Sequence, residues 1–227
     1  IDRTAAIRLL EERVSLPGVN ISTVGVREYP TGALTSHIIG YLGPVGADDA
    51  ERLRELGFDP KFERVGYAGI EAYMEAVMAG ERGSITREVD VVGQVQRELQ
   101  VIPSSAGQNL RLTLDIELQQ AAQDALTKQM NQINEISQLA GTGVQTERGV
   151  VIAINPSTGE VLAMVSYPSY DNQRFARGID GEYYLQILND SLTPLVNKAI
   201  SSLFPPGSGW KLITAAAALQ ENVIEPL

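Results

Sequence analysis

Val150-Val151-Ile152-Ala153-Ile154-Asn155-Pro156-Ser157-Thr158-Gly159-Glu160-Val161-Leu162-Ala163-Met164-Val165-Ser166 decides the fold class. Its first five residues are apolar without a break, so they read as a strand covered on both faces and central in a sheet. Asn155 to Gly159 collects turn-forming residues, and Glu160 to Ser166 reads as the antiparallel return strand. Upstream, Ala122, Ala125, Leu126, Met130, Ile133 and Ile136 keep a 3.6-residue period, and Asp115 is placed to cap the long helix they mark. Leu110, Leu112 and Leu114 alternate before that helix as a strand. A Gly-Thr-Gly loop follows it. The second half is therefore strand, long helix, hairpin, irregular connection and helices, an α+β layout with helices against an antiparallel sheet.

The first half has a different character. Ile7, Leu10 and Val14 mark a helix over residues 4–15, ended by Pro17-Gly18. Val19 to Val26 alternates as a strand, and Asp48 or Asp49 caps a short helix through Leu53 and Leu56 that stops at Gly57. A second helix is expected over 68–79, with Ile70, Tyr73, Met74 and Val77 on one face and Gly80 closing it. Ile85 to Val92, a Gly93-Gln94 turn and Val95 to Val101 predict a hairpin. Pro103-Ser104-Ser105-Ala106-Gly107 carries no charge and two breakers, so it reads as a linker. It divides the chain into domains 1–106 and 107–227.

Composition removes several functions. The 227 residues hold 18 basic and 28 acidic side chains, a net charge of −10, and the basic ones form no cluster. Nucleic-acid binding is disfavoured, because neutralising phosphates needs a concentrated basic face. Without cysteine there are no disulfides or thiolate metal sites. One histidine, His37, builds neither a metal site nor a Ser-His-Asp triad alone and reads as structural. No metal or cofactor is assigned. Asp48, Asp49, Glu51 and Glu55 read as a solvated helix face, and Tyr183-Tyr184 as packing. No window approaches the ~20 apolar residues that cross a bilayer, and no signal peptide is visible. The chain opens on Ile1 and closes on Asn222-Val223-Ile224-Glu225-Pro226-Leu227, so both ends read as cuts in something longer.

One constellation carries chemistry. In Phe204-Pro205-Pro206-Gly207-Ser208-Gly209-Trp210-Lys211, a rigid turn leads into an alanine-rich run, Trp210 to Leu219, that reads as a buried helix. Residues i and i+3 of a helix are neighbours, about 5–6 Å apart at Cβ, so Lys211 is placed to take the Ser208 hydroxyl proton. The spacing alone is weak evidence: with fourteen serines and four lysines, chance supplies roughly one such pair in every four chains of this kind. The plain alternative makes Ser208 an N-cap and Lys211 a solvated first-turn residue. Serine is a favoured cap, but a lysine there opposes the helix macrodipole.

Further stretches tip the balance. Leu34-Thr35-Ser36-His37-Ile38-Ile39-Gly40-Tyr41-Leu42-Gly43, Gly69-Ile70-Glu71 and Gly80-Glu81-Arg82-Gly83 are similar to elements of the pedestal domain of class B penicillin-binding proteins. Asn109 to Asp115 with Leu118-Gln119 resembles the start of their transpeptidase domain, and Gly149 to Tyr167 its first hairpin. Pro194-Leu195-Val196-Asn197-Lys198-Ala199 through Lys211 resembles the approach to the nucleophile, where Ser-x-x-Lys is the family motif. Tyr29-Pro30 looks most like the elongation, or cell-shape, branch. One position departs: Gly209 stands where relatives carry Thr, Ser or Val, and glycine inside a helix costs roughly 0.5–1 kcal/mol against alanine.

The resemblance implies an N-terminal pedestal followed by the first part of a transpeptidase domain. It implies a serine D,D-transpeptidase that cross-links peptidoglycan. Ser208 would be the nucleophile and its backbone N–H an oxyanion donor, with Lys211 as general base. Stem peptides ending in D-Ala-D-Ala would be the substrate, and β-lactams would acylate Ser208. A membrane glycan polymerase and elongation scaffold proteins would be partners. The protein would sit on the outer side of the bacterial cytoplasmic membrane, behind a single membrane helix preceding Ile1. Relatives complete the site with Ser-x-Asn and Lys-Thr-Gly elements, and neither occurs in residues 1–227. This chain alone is therefore expected to be inactive. A non-catalytic reading remains open, in which the pedestal docks the elongation machinery; a β-lactamase or β-lactam sensor ranks lower, since those lack a pedestal like residues 19–101.

Overall fold

The computed structural model describes residues 2–12, 16, 19, 25–47, 50, 51, 54, 60, 63–91 and 95–225. In chain order the helices are α1 (Arg3–Glu11), α2 (Ser36–Ile39), α3 (Gly69–Tyr73), α4 (Glu75–Met78), α5 (Ile116–Ala140), α6 (Gly181–Leu188), α7 (Lys198–Ser201) and α8 (Lys211–Gln220). The strands are β1 (Leu42–Pro44), β2 (Arg64–Gly66), β3 (Ser84–Val89), β4 (Val95–Ile102), β5 (Gly149–Ile154) and β6 (Val161–Tyr167). Among the described residues they pair as three antiparallel two-stranded sheets, β1 with β2, β3 with β4 and β5 with β6. The α+β class expected from the sequence is the class found. Among the described residues no helix is long and apolar enough to cross a membrane.

The chain divides into two units: residues 1–112 with 170–187, and residues 113–169 with 188–227. In the first, Asp2 caps α1 by accepting from the Ala5 amide at 2.8 Å. The helix expected over 68–79 is broken at Met74, whose φ of −106° and ψ of 16° are not helical, giving α3 and α4. The expected linker is bonded in: Glu81 and Ser105 exchange backbone hydrogen bonds at 3.0 Å, and the Gln108 amide donates to Val77 at 2.9 Å. The expected strand over 19–26, the caps Asp48 and Asp49 and the Gly93-Gln94 turn lie wholly or largely outside the described residues.

The core of this unit is aromatic. Phe175 stacks on Tyr41 with ring centroids 4.6 Å apart and is ringed by Tyr170, Tyr183 and Tyr184. His37 meets Tyr170 edge-on at 5.3 Å, a packing role. Residues 170–187 join the unit through long-range bonds: Tyr170 Oη donates to the Ser36 carbonyl (3.0 Å), Asn172 Nδ2 to the Gly40 carbonyl (2.8 Å), and the Tyr29 amide to Gln173 Oε1 (2.6 Å). Glu71, 3% exposed, binds Arg27 through both oxygens, so the Gly69-Ile70-Glu71 stretch singled out in the sequence is anchored by an ion pair.

In the second unit Asp115 Oδ1 accepts from the amides of Glu117 and Leu118, the cap predicted for α5. α5 packs on β6 and β5. Residues 110–114 form no strand; instead Thr113 Oγ1 donates to Val161 and the Asp115 amide to Leu162. β5 was expected to be central, yet among the described residues it pairs with β6 alone, and Ile152 and Ile154 stay half-exposed.

Candidate active site

The approach to Ser208 is fixed by backbone chemistry. Pro206 sits at φ −69°, and Gly207 at φ +54° takes a conformation that a side chain disfavours. A 3-10 turn, Gly207–Trp210, then opens: the Gly209 amide donates to Pro206 at 3.2 Å, and the Lys211 amide donates to the Ser208 carbonyl. α8 follows directly from Lys211. Ser208 is therefore not the N-cap that the plain alternative required. Trp210 holds that position, and no side chain caps the turn or the helix.

Ser208 and Lys211 thus share one turn, in the i, i+3 relation the sequence predicted, and both are exposed. In water a single oxyanion donor and a single amine contribute little, because charge stabilisation of this kind depends on excluding solvent. The burial expected for α8 is not found. Leu212 is 80% exposed and Ile213 53%. A helix apolar around its circumference is built to be covered, and the described residues do not cover it. A Cβ at Gly209 would meet no atom within 4 Å.

The side chains that hold the segment before the turn had no individual role in the sequence reading. Lys198 is 2% exposed. Its Nζ donates to the Thr193 carbonyl at 2.8 Å, and its backbone amide to Ser166 Oγ on β6 at 2.9 Å. Asn197 Oδ1 caps α7 by accepting from the Ala199 amide. Arg148, just before β5, donates to the Ser191 carbonyl. Burial pushes the Lys198 ammonium below the usual lysine range, the Arg148 charge adds to this, and Asp190 opposes it. The one available signal was a lysine set between Val196, Ala199 and Ile200.

Comparison with known proteins gives matches along most of the chain. Residues 1–112 match the model of the penicillin-binding protein dimerisation domain, and residues 149–227 that of the penicillin-binding protein transpeptidase domain. The peptidoglycan D,D-transpeptidase MrdA of Escherichia coli K12 is 37% identical over 220 residues, which are 96% of this chain and 32% of the relative. A solved structure of a peptidoglycan synthase complex, described as coordinating polymerization and crosslinking, matches 100% of this chain and 38% of its own at a TM-score of 0.76 and 34% identity. The penicillin-binding protein PBP2 of Helicobacter pylori in complex with MreC matches 97% of this chain and 38% of its own, with a TM-score of 0.69 and 26% identity. The chain spans about a third of the length of the curated relatives it matches.

Proposed function

This chain belongs to the class B penicillin-binding proteins, of the elongation type, and we propose that it supplies the nucleophile-bearing part of a serine D,D-transpeptidase that cross-links peptidoglycan. Residues 1–106 are read as the pedestal and 107–227 as the opening portion of the transpeptidase domain. The observation that carries the catalytic reading is the shared turn of Ser208 and Lys211, with the serine free of capping duty.

Ser208 Oγ attacks the carbonyl carbon between the two terminal D-alanines of a stem peptide, and Lys211 Nζ takes the hydroxyl proton. The oxyanion is held by the Ser208 N–H and a second donor from sequence beyond these residues. As the C–N bond breaks, the departing D-alanine amine takes the proton back. The amine of a neighbouring stem peptide then attacks the ester, loses a proton and leaves the cross-link, while Ser208 Oγ is reprotonated. A β-lactam enters at the first step and remains as the acyl-enzyme. The part of the relatives not spanned by this chain would cover α8, exclude water and complete the site.

Incubation with a fluorescent penicillin tests this reading. The full-length protein is expected to label one-to-one and residues 1–227 alone not to label; stoichiometric labelling of the short chain would contradict the incomplete site.

The exposed hairpin β3–β4 supports a second, compatible role. Ile85, Val89, Leu99 and Val101 each stay about half exposed, and a lone two-stranded sheet is marginal in water. Docking of the glycan polymerase or an elongation scaffold protein on the pedestal, outside the cytoplasmic membrane and behind an N-terminal membrane anchor, fits this surface. Loss of co-purification in a full-length Leu99→Asp variant that still binds penicillin would test it.

A further inference from the structure

The segment ahead of the Ser208 turn is held by a buried charge, that of Lys198. Among the described residues no carboxylate pairs with Lys198 within 4.0 Å. Its ammonium is desolvated and has the Arg148 cation in its surroundings, with the Asp190 carboxylate acting in the opposite sense. Burying a charge without an ionic partner costs free energy. The carbonyl it binds does not depend on it, because Thr193 O also accepts from the Val196 amide at 3.0 Å. What Lys198 adds is geometric. It ties Thr193, held at φ +50°, to the first residue of α7, while Ser166 ties the same residue to β6. With Arg148 on Ser191, the loop from 189 to 197 is pinned through two carbonyls. The chain then leaves α7 and reaches Ser208 through 202–206, which has no regular structure and is exposed over 203–206.

We propose that Lys198 is a positioning residue for Ser208: by fixing Thr193 to the start of α7 and α7 to β6, it sets where the 202–206 segment departs and how the nucleophile is presented. The inference rests on Ser208 being the nucleophile, and Lys198 itself touches no substrate.

The test uses the full-length protein and separates β-lactam affinity (Kd) from the acylation rate constant (k2) by stopped-flow with a fluorescent penicillin. Lys198→Met is expected to lower k2 by about tenfold or more while Kd changes by less than about threefold, which is the mark of a group acting on the transition state. Its Tm should be unchanged or higher, because a buried charge is removed. Lys198→Arg, which keeps the charge and a donor, should recover most of k2. Ser166→Ala, which frees the α7 amide, should lower k2 by about threefold with Kd preserved. Wild-type k2 in Lys198→Met overturns the proposal, as does a parallel loss of Kd, k2 and Tm that arginine does not rescue. Should Lys198→Met fail to fold, Ser166→Ala decides: wild-type k2 in that variant overturns the proposal. A wild-type protein that is never labelled at Ser208 removes the catalytic reading itself, and this inference with it, before any variant is compared.

Discussion

Gln119 and Met164 are joined by two hydrogen bonds: Gln119 Nε2 donates to the Met164 carbonyl at 2.9 Å, and the Met164 amide donates to Gln119 Oε1 at 2.7 Å. The side chain is 1% exposed and acts as a strand would, satisfying the backbone of β6 from α5. Gln119→Leu would strand both Met164 groups, and a buried unsatisfied polar group costs about 1–3 kcal/mol. The variant is expected to lose about 2–4 kcal/mol in urea unfolding of residues 1–227; a loss below about 1 kcal/mol would contradict the bridge.

Gly40 and Gly69 let two loops touch backbone to backbone. A Cβ on Gly40 would lie 1.8 Å from the Ala68 carbonyl oxygen, and one on Gly69 2.5 Å from that of Ile38. Both residues also have positive φ. Gly40→Ala should destabilise the first unit by at least about 3 kcal/mol, read from the loss of near-UV circular dichroism of the tyrosine cluster on mild heating. A variant with wild-type Tm would mean that the loops separate freely.

The tyrosine cluster predicts alkaline sensitivity. Burial, then the Glu71 charge, push the Tyr29 hydroxyl up to about 12 from 10.0, and burial raises Tyr170 further. A folded-state value above the unfolded one means that the native state holds the proton more tightly. Its contribution is complete below pH 10 and is lost as pH rises from 10 through 12. Tm should fall across that window, and Tyr170→Phe, though less stable at neutral pH for want of the bond to Ser36, should fall less steeply. Equal slopes would exclude Tyr170 from the alkaline transition.

Much of this architecture was legible because its signals are local. Asp115 and the period through Met130 specified α5, and Asn155 to Gly159 specified the β5–β6 turn. Three features were not legible, each for a tertiary reason. Residues 170–187 bond to partners more than 130 positions away, and no local pattern reports such distant partners. Lys198 looks like any surface lysine until the fold closes over it. The apolar runs in β5 and α8 predict a burial that the described residues do not supply, because what covers a surface is not written in the run itself. For the candidate site, the sequence supplied the Ser208–Lys211 pairing, and the structure added the 3-10 turn that releases Ser208 from capping.

The surroundings of Gly209 are open, and its φ is not in the left-handed region. Gly209→Ala should fit without strain and gain about 0.4–1 kcal/mol through the unfolded chain. Thermal unfolding of the full-length protein checks this, with penicillin labelling expected to be retained. A drop in labelling would show that the glycine itself is needed in the turn.

The central claim, that Ser208 is the acylated residue, is tested most directly by mapping the adduct. Full-length protein treated with penicillin, digested and analysed by mass spectrometry should carry one acyl group on the peptide containing Ser208, and Ser208→Ala should carry none while keeping its Tm. An adduct on any other residue, or undiminished labelling of Ser208→Ala, would contradict it.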